Sequence, residues 1–524
     1  MRCFALLLIG VLCGVLFAAE PPAQAAEWVK AREAQRKGRQ ALEKGAAVDR
    51  IERGTKAAKI LAEVLAKNLD KGAYRTDSAL LDLLAGVQLL NPEAATPLKA
   101  ALAALPEQPP ADRQVLKSWN QVLELKRKEI LKPTEKLAQD ALKLGVPSVA
   151  RDCVDQALTF WPQHRDLRFN MGMTAVGNRW YGPHDLELTK QGLAWDDKLG
   201  WIKVGEQERY VAGEYYDIQE KSWTTIEAAN ALHAVAAKKW VIQREHVQVQ
   251  GTAPLAELID TANRLEAFYD QVFSAYSGFF VKSKMTMSEA KNSPKNKKDD
   301  LNIKLLFGML DHPRLVVNVA KDKQFYQQSL PPMVKAGWSD GMFISSTAES
   351  YFYSGSTEVV YHEFTHQILH IFSGTSRSPA WLAEGAAVYT QGPQFHHGRL
   401  VLGQVGENSH LRMFIKQQRK GEALALAKII AIEDGRDWMN SETPDLNYPA
   451  AGAVVQFCME ADERRYRADF LDYLRDCYRG ETRNYKLWEY LGLDYSTFET
   501  KYEQWLTEFT KGKNGPALKA GPAD

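Results

Sequence analysis

From Trp28 to about Phe169, apolar residues recur at helical spacing among Ala, Leu, Lys and Glu, with breaks at Gly72, Asn91-Pro92, Pro106 to Pro110 and Pro133. That pattern predicts a domain of antiparallel helical hairpins over residues 26–170. Within it Leu137, Ala138, Gly145, Ala150, Ala157 and Pro162 resemble the small and large positions of one tetratricopeptide helical pair, but no second copy lies in register, so ordinary helix packing is expected. Between about Gly172 and Ala237 aromatic residues alternate with polar ones, as in Gly200-Trp201-Ile202-Lys203-Val204. Residues 171–237 are therefore expected to form a small aromatic-rich region of short strands, with Trp180, Trp195, Trp201 and Trp223 as its core. Trp240 to Val249 alternates as one half-buried strand, and Pro254 opens a helix with the stripe Leu258, Ile259, Ala262, Leu265, Phe268 and Val272. Ile303 to Phe307, Leu315 to Val319 and Gly341 to Ser345 are further strand candidates; Lys291 to Asp300 reads as a solvated loop, and helix returns after Tyr448. The sum is an α+β chain, predominantly α, with one small mixed sheet.

Composition narrows the function classes. The 524 residues suggest two to four domains, and 66 Lys and Arg against 65 Asp and Glu create no global field to draw in nucleic acid or an anionic membrane. Met1 and Arg2 lead into an apolar run from Phe4 to Ala19, followed by Pro21, Pro22 and Ala23-Gln24-Ala25. Residues 1–25 are read as a signal peptide, with a mature start near Ala26 and a secreted or periplasmic protein that has no membrane span after cleavage. Cys153, Cys458 and Cys477 remain, too few for a disulfide framework, although a Cys458 to Cys477 bridge would suit an oxidising compartment. Residues 513–524 are expected to form a flexible tail.

The chemistry concentrates in one stretch. His362, Glu363, Phe364, Thr365 and His366 spell H-E-x-x-H on a predicted helix with Ser356 as N-cap and Val360, Phe364, Ile368 and Ile371 as its buried stripe. Residues four apart share a helix face, so both imidazoles can reach one zinc ion while Glu363, beside it, can take a proton from an attacking water. A catalytic zinc needs a third protein ligand and an open position. Ser378 and Pro379 predict the start of a second helix, with Ser378 as N-cap, that places Glu384 in its second turn; Gly385, Ala386 and Ala387 would let it approach the first, with Phe372 to Arg377 as the reversing connection. His370 lies eight residues from His362, too far along the axis to share the ion, and the adjacent His396 and His397 are expected in solvent.

H-E-F-T-H at 362 to 366 followed by W-L-A-E-G-A-A-V-Y at 381 to 389 resembles the gluzincin, or peptidase MA-like, zinc metallopeptidases, and the layout resembles their secreted bacterial members. The resemblance extends from about Trp240 to about Phe509 and implies a zincin-like metallopeptidase domain over residues 238–512, in which active-site and C-terminal helices accompany the sheet. It implies one Zn2+ per chain held by His362, His366 and Glu384, with Glu363 as general base. It further implies a tyrosine that hydrogen-bonds the oxyanion, for which Tyr448 is the candidate, and a peptide or protein as substrate. No G-x-M-E-N-like run precedes His362, which puts aminopeptidase specificity in doubt; the Gly341 to Ser345 strand could pair with an extended peptide instead. Two other readings stand beside this one: an inactive peptidase-like scaffold whose N-terminal helices recruit a protein partner, and a zinc amidase acting on cell-wall peptides. No carboxylate orienting His362 or His366 is legible in the sequence.

Overall fold

A computed structural model describes residues 22–68, 72–280, 313–332, 334, 339–355, 358–373, 378–396, 399–439, 443–482 and 484–511. The expected leader up to residue 21, the Lys291 to Asp300 loop, the Ile303 to Phe307 strand, Ser356, the connection at 374–377, His397 and the tail from 512 lie outside the described residues. Mostly helix surrounds one small mixed sheet, as expected of an α+β chain that is predominantly α. Among the described residues no helix is long and apolar enough to cross a membrane.

Among the described residues the first six helices are Pro22–Asn68, Ser78–Leu90, Pro92–Ala103, Arg113–Lys143, Pro147–Phe160 and Arg165–Asn170. Asp77 starts the second by accepting from Ala79 N at 2.8 Å, and its other oxygen takes the buried indole N–H of Trp119 at 2.6 Å. Asn91 caps the third. Leu80, Leu83, Val87, Leu90, Leu123 and Phe160 form their common core. The expected break at Pro133 does not occur, for Arg113–Lys143 runs through it. Buried Leu131 and Thr134 flank the proline, and Arg53 donates to Thr134 Oγ1 at 2.7 Å, so packing outweighs the one lost backbone hydrogen bond. The stretch from Leu137 to Pro162 forms an ordinary packed helical pair, with Ala138 and Ala141 against Ala150, Cys153 and Val154.

Residues 174–233 hold a regularity beyond the expected short strands. Three antiparallel hairpins, Thr174–Val176 with Arg179–Tyr181, Leu193–Asp196 with Gly200–Lys203, and Glu214–Asp217 with Ser222–Thr225, are each followed by a short helix: Pro183–Lys190, Gln207–Val211 and Ile226–His233. Trp180, Trp201 and Trp223 occupy the second strand of successive hairpins, and Gly172, Gly192 and Gly213, all at positive φ, introduce the first strands. The signal was the recurrence of Gly and Trp at intervals of about 21 residues. The four tryptophans do not form one core. Trp201 is buried with Trp195 edge-on at 5.7 Å, Trp223 lies between Tyr210 and Tyr216, and half-exposed Trp180 donates to Gln163.

The sheet has the strand order Gly341–Ile344, Glu349–Tyr353, Leu315–Ala320, Val247–Gly251, Trp240–Gln243. Its two central pairings are parallel and its two outer ones antiparallel. The expected single strand from Trp240 to Val249 is a hairpin of two. The reason was present in the parity: Trp240 and Ile242 are even positions, Val247 and Val249 odd, and one strand cannot bury both sets on one face. Glu349–Tyr353, which no expectation covered, sits inside the sheet and leaves Gly341–Ile344 at an edge among the described residues. The helix Leu255–Ala275 covers the sheet with every residue of the expected stripe buried.

Candidate metal centre

Glu358–Ser373, the motif helix, lies on the sheet because Phe364, Ile368 and Leu369 are fully buried and Gln367 ties it down. The Gln367 amide donates to Val316 O at 3.0 Å and Ala348 O at 2.8 Å and accepts from Ser350 Oγ at 2.9 Å. Val360 and Ile371, the ends of the expected stripe, are only half-buried. The second helix, Ala380–Thr390, joins it through the Thr365 and Thr390 hydroxyls, 2.7 Å apart. Its N-cap is Pro379, not Ser378, and its first N–H groups bond to the carbonyls of Glu433 and Ile432. Neighbouring backbone replaces the expected serine cap.

Gly385 of the second helix serves a different neighbour from the one expected. A Cβ on Gly385 would lie 2.6 Å from Ala451 O and 2.8 Å from Val455 Cγ2, and one on Gly452 would lie 2.3 Å from Val388. The tight approach is therefore to Pro444–Arg464, the helix that carries Tyr448. Gly452 makes room for the second helix.

These contacts bring His362, His366 and Glu384 together. Nε2 of His362 lies 3.1 Å from Glu384 Oε2 and 3.2 Å from His366 Nε2, and the third edge of the triangle is 3.3 Å. One proton can bridge one edge; an ion above the centre meets all three corners. A tetrahedral zinc with bonds of about 2.0–2.1 Å has ligand-to-ligand edges of about 3.3 Å, so the donor set is compatible with a metal. The electrostatics agree. Burial opposes the Glu384 charge, but the two imidazoles and their hydrogen bonds hold this carboxyl well below the ordinary range. Burial also opposes a cation on His366, yet Glu384 drives it up to about 9. The triad stabilises positive charge.

A cleft of about 930 Å³ opens over the triangle, lined among others by Gly341, Phe343, His370, His410 and Tyr448. Glu363 faces it and accepts a hydrogen bond from Phe343 N, on the edge strand, at 2.8 Å. Burial raises its pKa, against the pull of His362 and His366. Tyr448 does not begin a helix; it sits inside Pro444–Arg464, its ring 6.0 Å from that of His362, stacked on His410 at 5.4 Å and edge-on to Trp438 at 5.0 Å. Burial, with Glu384 and Glu363 adding to it, keeps its hydroxyl protonated far above neutrality. His370 lines the cleft beside Phe343, outside the triad. His396 is in the strand Gln394–His396. Cys153, Cys458 and Cys477 are buried free thiols, so the Cys458 to Cys477 bridge is not formed.

The missing partner of His362 is an amide. Gln391 Oε1 lies 3.0 Å from His362 Nδ1 at the end of the second helix. An amide there carries no charge pattern that marks it in the sequence; its signal is its place one residue beyond that helix. Residues 356–479, which contain the triad, Glu363, Gln391 and Tyr448, match a family model described as a protein of unknown function (DUF1570). No curated protein and no solved structure matches the chain.

Proposed function

We propose that this protein is a zinc-dependent peptidase that hydrolyses peptide bonds, exported as its N-terminal residues suggest. The triangle of His362, His366 and Glu384, with edges of 3.1 to 3.3 Å, carries the reading. Zinc there would supply a Lewis acid that polarises a carbonyl oxygen and makes water more acidic. Glu363, in the cleft and steadied by the Phe343 amide, is placed to take a proton from the attacking water and return it to the leaving nitrogen. Its raised pKa suits a group that must both accept and release a proton. Tyr448, held protonated against His410 and Trp438, offers a phenol to the oxyanion as it develops. The Gly341–Ile344 edge offers main-chain groups to an extended peptide, and the N-terminal helices a surface for a protein partner.

The test is metal content together with cleavage of a mixed peptide library, for wild type, His366→Ala and Glu363→Gln. One zinc in wild type and in Glu363→Gln, none in His366→Ala, and cleavage by wild type alone are expected, with the Glu363→Gln rate down by about 10³-fold. A Glu363→Gln protein that still cleaves would remove the base assignment. Zinc without cleavage in the wild type would return the chain to a binding role.

A further inference from the structure

We infer that Gln391 is the positioning residue of the metal centre: its amide oxygen selects the tautomer of His362 that turns a lone pair toward the ion, and Glu358 decides which end of the amide faces the imidazole. The inference rests on the metal reading above and concerns how this chain prepares its ligand.

A side-chain amide can be turned by 180°, so its orientation has to come from its neighbours. Gln391 is 3% exposed and has neighbours on both sides. Its Nε2 lies 3.1 Å from Glu358 Oε2 and 3.5 Å from Asn408 Oδ1. A carboxylate only accepts. Asn408 is itself oriented, since its Nδ2 donates to Val388 O and its Oδ1 accepts from Leu411 N at 3.0 Å. Two acceptors thus face the NH2 group of Gln391, and its oxygen is left for His362 Nδ1 at 3.0 Å.

An acceptor at that place requires a proton on Nδ1. A neutral imidazole has only one N–H, so Nε2 carries the lone pair, at the atom that lies 3.1 Å from Glu384 Oε2 and 3.2 Å from His366 Nε2. Glu358 is fixed in turn. It stands in the first turn of the motif helix and accepts from Ser409 N at 3.0 Å and Ser409 Oγ at 2.7 Å. The chain of contacts Ser409, Glu358, Gln391, His362 therefore joins the wall of the cleft to the ligand. Because the last link is neutral, His362 is oriented without a second negative charge placed directly behind it.

The experiment is zinc affinity by chelator competition on the full mature chain, for wild type, Gln391→Leu and Glu358→Gln, with 15N spectra of the histidines in the zinc-loaded proteins. Gln391→Leu should weaken zinc binding 10–100-fold, the usual effect of losing an outer-shell partner. Glu358→Gln keeps the shape but presents Gln391 with a group that donates as well as accepts, and should weaken binding by less, about 3–10-fold on the same scale. The wild-type spectrum should show His362 protonated at Nδ1 and coordinated through Nε2. Affinity within twofold of wild type in both variants, or coordination through His362 Nδ1, overturns the proposal and leaves the metal reading intact. If Gln391→Leu does not fold, Glu358→Gln and the wild-type spectrum decide. A wild-type chain that takes up no zinc overturns the metal reading, and this inference with it.

Discussion

In the cluster between the first helix and the helix Arg467–Arg479, all four carboxylate oxygens of Asp469 and Asp472 face guanidinium groups; at the head of the cleft, three electron-pair donors face one another. Arg32, Arg36 and Arg39 reach the two aspartates at 2.8 to 3.4 Å, and Arg475 reaches Asp472 at 2.8 Å. Both clusters are charged, the first buried and the second half-buried, and each holds one carboxyl, Asp472 in the first and Glu384 in the second, well below the ordinary range. In one, every carboxylate oxygen is matched by a guanidinium group, and the cluster joins segments more than 400 residues apart. The other converges on a point that an additional cation would satisfy, under an open cleft. Burial and charge do not distinguish a structural tie from a site, but matched or unmatched donors and acceptors do.

The comparison can be broken first at Asp472. Asp472→Ala leaves Arg39, which is 2% exposed, without its 2.8 Å partner, and should cost about 3–5 kcal/mol in urea unfolding while zinc content stays unchanged. Loss of zinc with unchanged stability would mean that the two clusters are not separate in function. The same residue sets a pH dependence. Burial would raise its pKa, but Arg39, Arg475 and Arg32 outweigh burial and hold it well below the unfolded value of about 3.9. A depressed carboxyl stabilises the fold above that value, and the contribution fades as pH falls below it. Unfolding midpoints from pH 7 to pH 3 should therefore drop for wild type and flatten for Asp472→Asn.

Tyr448→Phe tests the cleft side. It should lower turnover by roughly 10²-fold with little change in zinc affinity. A large fall in melting temperature with unchanged turnover would make Tyr448 an anchor packed on His410 and Trp438. The smallest effect is expected where the second helix meets Pro444–Arg464. Gly385→Ala places a methyl 2.6 Å from Ala451 O and should cost about 1–3 kcal/mol through overpacking. Because Glu384 is the adjacent residue, zinc affinity should fall with it; unchanged affinity would show that Glu384 tolerates movement of its helix.

Much of the candidate site was legible because its determinants are local. The spacing of His362, Glu363 and His366 puts three groups on one helical turn, and the helix around Glu384 begins within a residue of where Ser378 and Pro379 predict it. The errors arose where a partner distant in the chain took over. The cap came from the carbonyls of Ile432 and Glu433, the glycine contact from Ala451, and the partner of His362 from an amide that looks ordinary in sequence. In the sheet, the parity change between Ile242 and Val247 was readable and points to two strands, whereas the position of Glu349–Tyr353 inside the sheet was not.

The amino-acid sequence by itself determined the motif helix, the helix around Glu384 and which donors share a helix face, because periodicity acts over a few residues. Only the tertiary structure decided the 3.1 to 3.3 Å triangle, the edge amide at Glu363, the orientation of Gln391 and the arginine cluster that ties the first helix to the last third of the chain. Each depends on separate segments meeting to within a fraction of an ångström, and packing, not local propensity, sets that distance.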